Sequence, residues 1–276
     1  MSDHEISTNS ALTLEHLEDT FYQQAFATFS DDQLLGLGLT PQQLVDMKDI
    51  GFTESQHVSF LQSALAQSGV APVRRCEYDF SAALADPSAM LATAAVLESV
   101  GVSAYLGAAP LLSDPALLGV AGSILTVEAR HQSSLRVFGQ SEAVPAAFDA
   151  ALGVRAVFSL AAPFIASCPE GSNLVLEAFP TLALADPGLD VASLAAQGAK
   201  IQLASDASGQ ATHCAFTAGG VSAGGAVFSP FTEGEGCDVP KGVSGVAYLT
   251  LVNDAPLDRV VTDDITVAGP TAVTIT

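Results

Sequence analysis

Two short stretches hold the residues best suited to chemistry. "FTESQHVSFL", residues 52–61, carries Glu54 and His57, and "ILTVEARHQSSL", residues 124–135, carries Glu128 and His131. Both read Glu-x-x-His within segments that are otherwise mostly apolar or small. The chain is 49% hydrophobic, only 14% charged, and has five histidines. Twice, then, it sets an acid and an imidazole where a core helix should be apolar. Residues i and i+3 share a helical face, so the carboxylate and imidazole of each pair can reach one point. Two further segments each supply one acid: "LTLEHLEDTFY" carries Glu15 and "AVLESVGVSAY" carries Glu98. Each is followed seven residues later by a tyrosine, Tyr22 and Tyr105, in a chain with four tyrosines. Seven residues make two helical turns, which keeps each Glu and its Tyr on one face.

One Glu from each of two helices and a Glu-x-x-His pair from each of two others is the set with which a four-helix bundle holds two metal ions. Four carboxylates neutralise two divalent cations and can bridge them. One imidazole per ion completes the site and leaves positions open for oxygen or water. The spacing therefore predicts Glu15, Glu54, His57, Glu98, Glu128 and His131 as ligands of two divalent ions, Fe or Mn, about 3 to 4 Å apart. Glu54 and Glu128, or one of them, would bridge, and Glu15 and Glu98 would be terminal. Glu18 lies one turn from Glu15 and is an alternative ligand or a supporting acid; Glu15 is preferred because Glu15–Tyr22 repeats the Glu98–Tyr105 interval. Tyr22 and Tyr105 are placed to hydrogen-bond ligands or pass a proton. Singly, each feature has a plainer reading: a lone Glu-x-x-His is commonly a surface pair, an inward tyrosine is commonly core, and Glu98 could be a buried protonated acid. Jointly these readings weaken, because all six residues fall on successive helices in the required order.

His16 is expected on a different, solvated face, His4 in the terminus, and His213 beside Cys214 without a ligand-spaced partner. Arg130 is expected to pair with an acid of a neighbouring helix. No helix follows the glycine turns "SAGGA" and "GEG", so no phosphate loop is expected, and no G-x-S-x-G motif marks a nucleophilic serine.

The elements that must position these residues can be read from stripes and caps. Leu14, Leu17, Phe21 and Ala25 form one face of a helix from about Ser10 to Phe29. "SDDQLLGLGLTP" reads as a break. Thr40 caps a second helix, with Pro41 at its first position, that runs to about Gln67 and stops at Gly69. "VAPVRRCEYDFSAALADPSA" is a long connection. A third helix spans about Asp86 to Leu112, and "SDP" at 113–115 starts a fourth that runs to about Phe138. "PAAFDAALGVRAVFSLAAPFIASCP" suggests one or two short helices. Beyond about residue 170, "NLVLEAF", "AKIQLAS", "THCAFTA", "GGAVFSP", "GVAYLTLVND" and "DRVVTDDITVAGPTAVTIT" read as short strands of a β-sandwich.

Lys plus Arg number 9 against 30 Asp plus Glu, a formal charge of −21. That balance argues against nucleic acid and anionic membranes as partners. "LATAAVLESVGVSAYLGAAPLL", residues 91–112, is long enough to span a bilayer, but Glu98 lies within it and no Lys or Arg closely flanks it, which favours a helix at the centre of a bundle. Four cysteines allow three pairings. Cys76 follows the second helix and Cys168 the last helical segment, so a bridge between them would pin the long connection to the bundle's end. Cys214 and Cys237 lie on or beside neighbouring strands and would form the second bridge. Two bridges would suit an extracellular protein, and free thiols an intracellular one. The start "MSDHEISTNS" is polar and acidic, unlike a signal peptide, which fits either an intracellular chain or a mature form with an added methionine.

The segments "LTLEHLEDTFYQQAF", "ESQHVSFLQSAL", "VLESVGVSAYLGAAPLL", "GSILTVEARHQSSLR" and "SLAAPFIASCP" resemble the ferritin-like domain of fungal stress-response proteins linked to nutrient starvation, and more distantly plant desiccation-related proteins. The resemblance covers roughly residues 8 to 170. It implies an up-down bundle with a di-iron-type site at the six residues named above, and an extracellular home, with the cytoplasm as the alternative. The expected fold class is thus α+β with two segregated domains: a ferritin-like four-helix bundle with extra short helices at 1–170, and a β-sandwich at 171–276. The expected function is a dinuclear metal oxidoreductase that uses O2 or peroxide and, if it has an organic substrate, a small or hydrophobic one. The alternatives are a manganese-catalase-like peroxide scavenger and a non-enzymatic structural or binding protein of the stress response. A monomer or small oligomer is expected; an appended domain would obstruct the close packing of a storage cage.

Overall fold

A computed structural model of the chain describes residues 3–170, 172, 176–186, 191, 200–219 and 225–275. In order along the helical part come α1 (Asp3–Thr28), α2 (Asp31–Leu35), α3 (Pro41–Gln67), the short strand β1 (Glu77–Tyr78), α4 (Pro87–Ala108), α5 (Pro115–Phe138) and α6 (Val154–Ala161). Single 3-10 turns extend α4 at Ala109–Leu111 and α6 at Ala162–Phe164, and β2 (Ile165–Ser167) follows. The strand-rich part contains β3 (Ala183–Leu184), β4 (Lys200–Ile201), β5 (Leu203–Ala204), β6 (His213–Thr217), β7 (Ala226–Pro230), β8 (Cys237–Asp238), β9 (Gly245–Val252) and β10 (Thr266–Ile275).

The caps explain where the helices begin. The Thr40 side chain accepts from the Gln43 N–H while the Gln43 side chain accepts from the Thr40 N–H, a reciprocal pair that starts α3 with Pro41 in the first turn. Asp114 caps α5 ahead of Pro115 by accepting from the Ala116 N–H. α2 is a departure from expectation, since its residues read as a break. Ser30 and Gln33 form the same reciprocal cap there, and Asp31 and Asp32 favour the positive end of the helix dipole, so one short helix forms before the chain leaves at Gly36. The expected stripe of α1, Leu14, Leu17, Phe21 and Ala25, is buried. α4 with its extension, Pro87–Leu111, is long and apolar enough to cross a membrane, and 61% of its most apolar window is buried within the protein, as for a core helix.

By packing, the chain divides into two compact units, neither continuous in sequence. One comprises residues 1–101, 108–143 and 161–175; the other comprises 102–107, 144–160 and 176–276. In the first, β1 pairs antiparallel with β2, Glu77 opposite Ser167, and the Cys76–Cys168 disulfide closes the pair one residue further out. Phe80 packs edge-on against Phe21 of α1 and also contacts Phe164, so the long connection is tied to the bundle by aromatic packing as well as by the disulfide.

In the second unit, β10, β9, β6 and β7 form a four-stranded antiparallel sheet in that order. β6 and β9 are the inner strands. Cys214, Phe216, Ala247, Leu249 and Leu251 join one apolar cluster, while Ala215 and Val252 join another with Ala226. Inner strands with apolar residues at successive positions on both faces are near-continuously hydrophobic, which is how β9, "GVAYLTLV", reads. The two-stranded pairs β3–β5 and β4–β8 contribute Leu182 nearby, Ile201 and Cys237 to the first cluster, and the Cys214–Cys237 disulfide links β6 to β8. Both expected disulfides are therefore present.

Several strands differ from expectation. "AKIQLAS" divides into β4 and β5 around Gln202, and β3 and β8 were not foreseen because a two-residue strand carries no alternating pattern. Of "NLVLEAF", residues 173–175 lie outside the described residues and 176–179 form no strand. In the final segment the strand starts only at Thr266, after a turn.

The Cys76–Cys168 bridge closes a loop with a sequence separation of 92. Replacing both cysteines with Ala should destabilise the helical unit by roughly 2–5 kcal/mol, read as a lower midpoint in denaturant-induced loss of helical circular dichroism. An unchanged midpoint would show that β1–β2 pairing and the Phe80 contacts alone hold the connection.

Candidate metal centre

Glu15 of α1, Glu54 and His57 of α3, Glu98 of α4, and Glu128 and His131 of α5 converge inside the helical unit. All six are buried, with Glu54, Glu98 and Glu128 fully so. Their ligand-type atoms form two groups, each with atoms within 4.8 Å of one another: Glu15, Glu54, His57 and Glu128, and Glu54, Glu98, Glu128 and His131. Glu54 and Glu128 belong to both. His57 Nδ1 lies 3.0 Å from Glu54 Oε2, 3.2 Å from Glu128 Oε1 and 3.3 Å from Glu15 Oε2. His131 Nδ1 lies 2.8 Å from Glu54 Oε1 and 3.1 Å from Glu98 Oε2. Glu54 thus turns one oxygen to each histidine.

Surrounding residues fix this arrangement. The Tyr22 hydroxyl donates to Glu98 Oε1 at 2.5 Å, so the tyrosine that shares a face with Glu15 serves the acid of a different helix. Tyr105 is buried and belongs to the 102–107 stretch of α4 that clusters with the strand-rich unit. Glu18 is buried outside both groups. It faces Gly101, where an added Cβ would fall 3.3 Å from Glu18 Oε1 and only 2.5 Å from Glu128 Oε2. Glycine in a helix interior is unfavourable; here it makes room for two carboxylates. Gly101 stands three residues after Glu98, the same offset that separates Glu from His in α3 and α5. That shared offset was the only sign of it in the sequence.

His16 corrects an expectation. It is 1% exposed rather than solvated. The face of α1 that carries it is covered by the connection after α3: Asn9 Oδ1 accepts from the Val73 N–H at 2.7 Å, and Arg75 pairs with Asp19 and donates to Thr20. Burial, reinforced by the Arg75 charge, lowers the His16 pKa to about 4, which keeps the ring neutral. Arg130 is exposed and makes no ion pair among the described residues.

The charges of the cluster are balanced by protons. Burial by itself would lower the pKa of His131, yet the Glu54 and Glu98 carboxylates raise it to about 10; His57 is pushed up in the same way against its burial by Glu128, Glu15 and Glu54. Burial would raise Glu54, but the two imidazoles hold it well below the usual carboxylate range. Glu128 and Glu18 go the other way, raised by burial and then by neighbouring carboxylates. Protons do not satisfy every atom: both oxygens of Glu128 and Oε1 of Glu54 are buried without a hydrogen bond. The nearby imidazole nitrogens are close enough for charge attraction but poorly aligned to donate. Buried carboxylate oxygens that lack donors and converge between two imidazoles suit cations better than protons. These residues could hold two metal ions.

Successive helices that deliver Glu, Glu-x-x-His, Glu and Glu-x-x-His to one buried point match the arrangement with which four-helix bundles can hold two metal ions. The ferritin-like domain family matches residues 3–140, half of the chain, and the protein belongs to that family. Protein rds1 of Schizosaccharomyces pombe (strain 972 / ATCC 24843) is 27% identical over 182 residues, covering 66% of this chain and 44% of the relative. The match thus spans less than half the length of that relative.

Two outcomes follow. G101A, which drives a methyl into Glu128, should destabilise the protein by roughly 1–3 kcal/mol and weaken metal uptake. In α5, a Cβ on Gly119 would meet nothing within 4 Å, so G119A should stabilise by roughly 0.5–1 kcal/mol; urea unfolding of both variants checks the pair. Because cations must displace the protons on the imidazoles and on the protonated carboxylates of the cluster, metal uptake should release protons near neutral pH and tighten as pH rises. Calorimetry in buffers of different ionisation enthalpy measures this, and a heat independent of buffer would contradict it.

Proposed function

We propose that the protein is a dinuclear metal oxidoreductase, with Fe or Mn at the cluster and O2 or peroxide as the oxidant. The observation that carries this reading is the pair of shared acids: Glu54 and Glu128 each lie in both ligand groups, between His57 and His131. In this reading Glu54 and Glu128 would be shared between the two ions, Glu15 and Glu98 would each serve one, and each histidine would offer Nδ1 to one ion. A bound pair of ions supplies the electrons that reduce O2 or peroxide. The chain's own groups bind, orient and exclude water. Tyr22 holds Glu98 by one oxygen and leaves Oε2 directed to the cluster, and its hydroxyl is placed to pass a proton to that carboxylate. Tyr105, two turns beyond Glu98, is proposed for a similar role. The apolar helix faces around the site favour a small or hydrophobic substrate, if there is an organic one. The two disulfides support an oxidising, extracellular setting, where a stress-induced scavenger or oxidase would act as a monomer or small oligomer.

The test is metal analysis of protein purified without added metal, followed by reconstitution with Fe2+ or Mn2+ and measurement of O2 and peroxide consumption. The wild type should take up metal and consume one of the two oxidants. H57A and H131A should each lower metal content and abolish turnover. Peroxide disproportionation without O2 uptake would select the catalase-like branch. A wild type that takes up neither metal would contradict the enzyme reading and leave a structural or binding role.

A further inference from the structure

The two histidines of the cluster are held differently. His131 Nε2 lies 2.9 Å from Thr53 Oγ1, across from α5 to α3. The Thr53 hydroxyl donates to the Ile50 carbonyl at 2.7 Å, with a longer approach to the Asp49 carbonyl at 3.2 Å. A threonine hydroxyl has one hydrogen and two lone pairs. That hydrogen is committed to the backbone of α3, so toward His131 the oxygen can only accept. Nε2 therefore carries a hydrogen, and the ring turns Nδ1, with its capacity to bind a cation, toward Glu54 and Glu98. Glu98, the other residue found only in the His131 group, is fixed in turn by Tyr22.

His57 has no such support. Its Nδ1 faces Glu54, Glu128 and Glu15, and no hydrogen bond to its Nε2 occurs among the described residues. The sequence carries the same asymmetry. Thr53 immediately precedes Glu54 in the first Glu-x-x-His pair; Val127 immediately precedes Glu128 in the second and has no hydrogen-bonding atom in its side chain.

We propose that Thr53 is a positioning residue that fixes His131 as an Nδ1 ligand, and that Thr53 and Tyr22 together make the His131 position the one that fills first and holds its metal more tightly. The His57 position is then the later-filled and more exchangeable one. This inference rests on the dinuclear reading above and adds an order to its two sites. The physical basis is general: a partner on the far nitrogen of a metal-binding imidazole sets both tautomer and ring orientation, and its loss typically lowers metal affinity 10- to 100-fold.

The test is a titration of the metal-stripped full chain with Co2+, followed by visible absorption. The wild type should bind in two phases. T53V should weaken the tighter phase by about 10- to 100-fold and leave the weaker one within about twofold, while T53S, which keeps the hydroxyl, should restore the wild-type curve. H57A should remove the weaker phase and spare the tighter. Long-range nitrogen–proton spectra of wild-type protein loaded with Zn2+ give a second readout that needs no variant: His131 should show a protonated Nε2 and a metal-bound Nδ1. A T53V curve that matches the wild type, a loss confined to the weaker phase, or a metal-bound Nε2 on His131 would overturn the inference while leaving the dinuclear centre in place. A wild type that binds no metal would overturn both. Should T53V not fold, the nitrogen spectrum decides.

Discussion

Five carboxylates, Glu15, Glu18, Glu54, Glu98 and Glu128, are buried together with two imidazoles at the centre of four helices. Removing even one ion from water costs several kcal/mol after relaxation, so a cluster of this kind must be compensated from within. His57 and His131 supply part of the compensation, each within 3.3 Å of two or three carboxylate oxygens. Protons on the more crowded acids supply another part, as the upward shifts of Glu128 and Glu18 indicate. Neither histidine reaches Glu54 Oε1 or the two oxygens of Glu128 in hydrogen-bond geometry. The electrostatic need left at the centre is for positive charge without a hydrogen-bond donor's directional demand, a need that metal ions could meet.

Much of the helical unit serves this arrangement. α1, α3, α4 and α5 run for 26, 27, 22 and 24 residues, and each delivers its acid from within its length, where intrahelical hydrogen bonds fix the backbone. Caps at Thr40 and Asp114 set the start of the two helices that carry the histidines. Gly101 brings α4 close enough to α5 to confine Glu128. Gly51 does the same between α3 and α1, where a Cβ would fall 2.8 Å from Tyr22 Cβ, and so helps to hold the tyrosine that bonds Glu98. The connection from 70 to 80, anchored through Val73, Arg75, Phe80 and the Cys76–Cys168 bridge, seals a second face of α1.

The sequence revealed the cluster because it obeys helical periodicity. An offset of three gave the two Glu-x-x-His pairs, and the shared seven-residue interval to Tyr22 and Tyr105 pointed to Glu15 over Glu18; the structure gathers Glu15 and leaves Glu18 just behind, against Gly101. Helix ends were legible wherever a cap and proline coincided, as at Thr40–Pro41 and Asp114–Pro115. What stayed hidden depends on tertiary contact. Nothing local marks Thr53 as the partner of His131, 78 residues away. His16 looked solvated because a helical wheel knows only its own helix, not the segment that later covers it. In the strand-rich unit the longer runs, such as β6 and β9, were visible through their apolar patterning, whereas β3 and β8 exist only through pairing with β5 and β4.

Anomalous scattering from crystals of the reconstituted protein, collected at the Fe or Mn edge, would locate any ions held by the cluster. Two metal peaks should appear inside the helical unit, one beside His57 and one beside His131, with the carboxylates of Glu54 and Glu128 between them. A single peak, or an ordered cluster with no peak after reconstitution, would contradict the account.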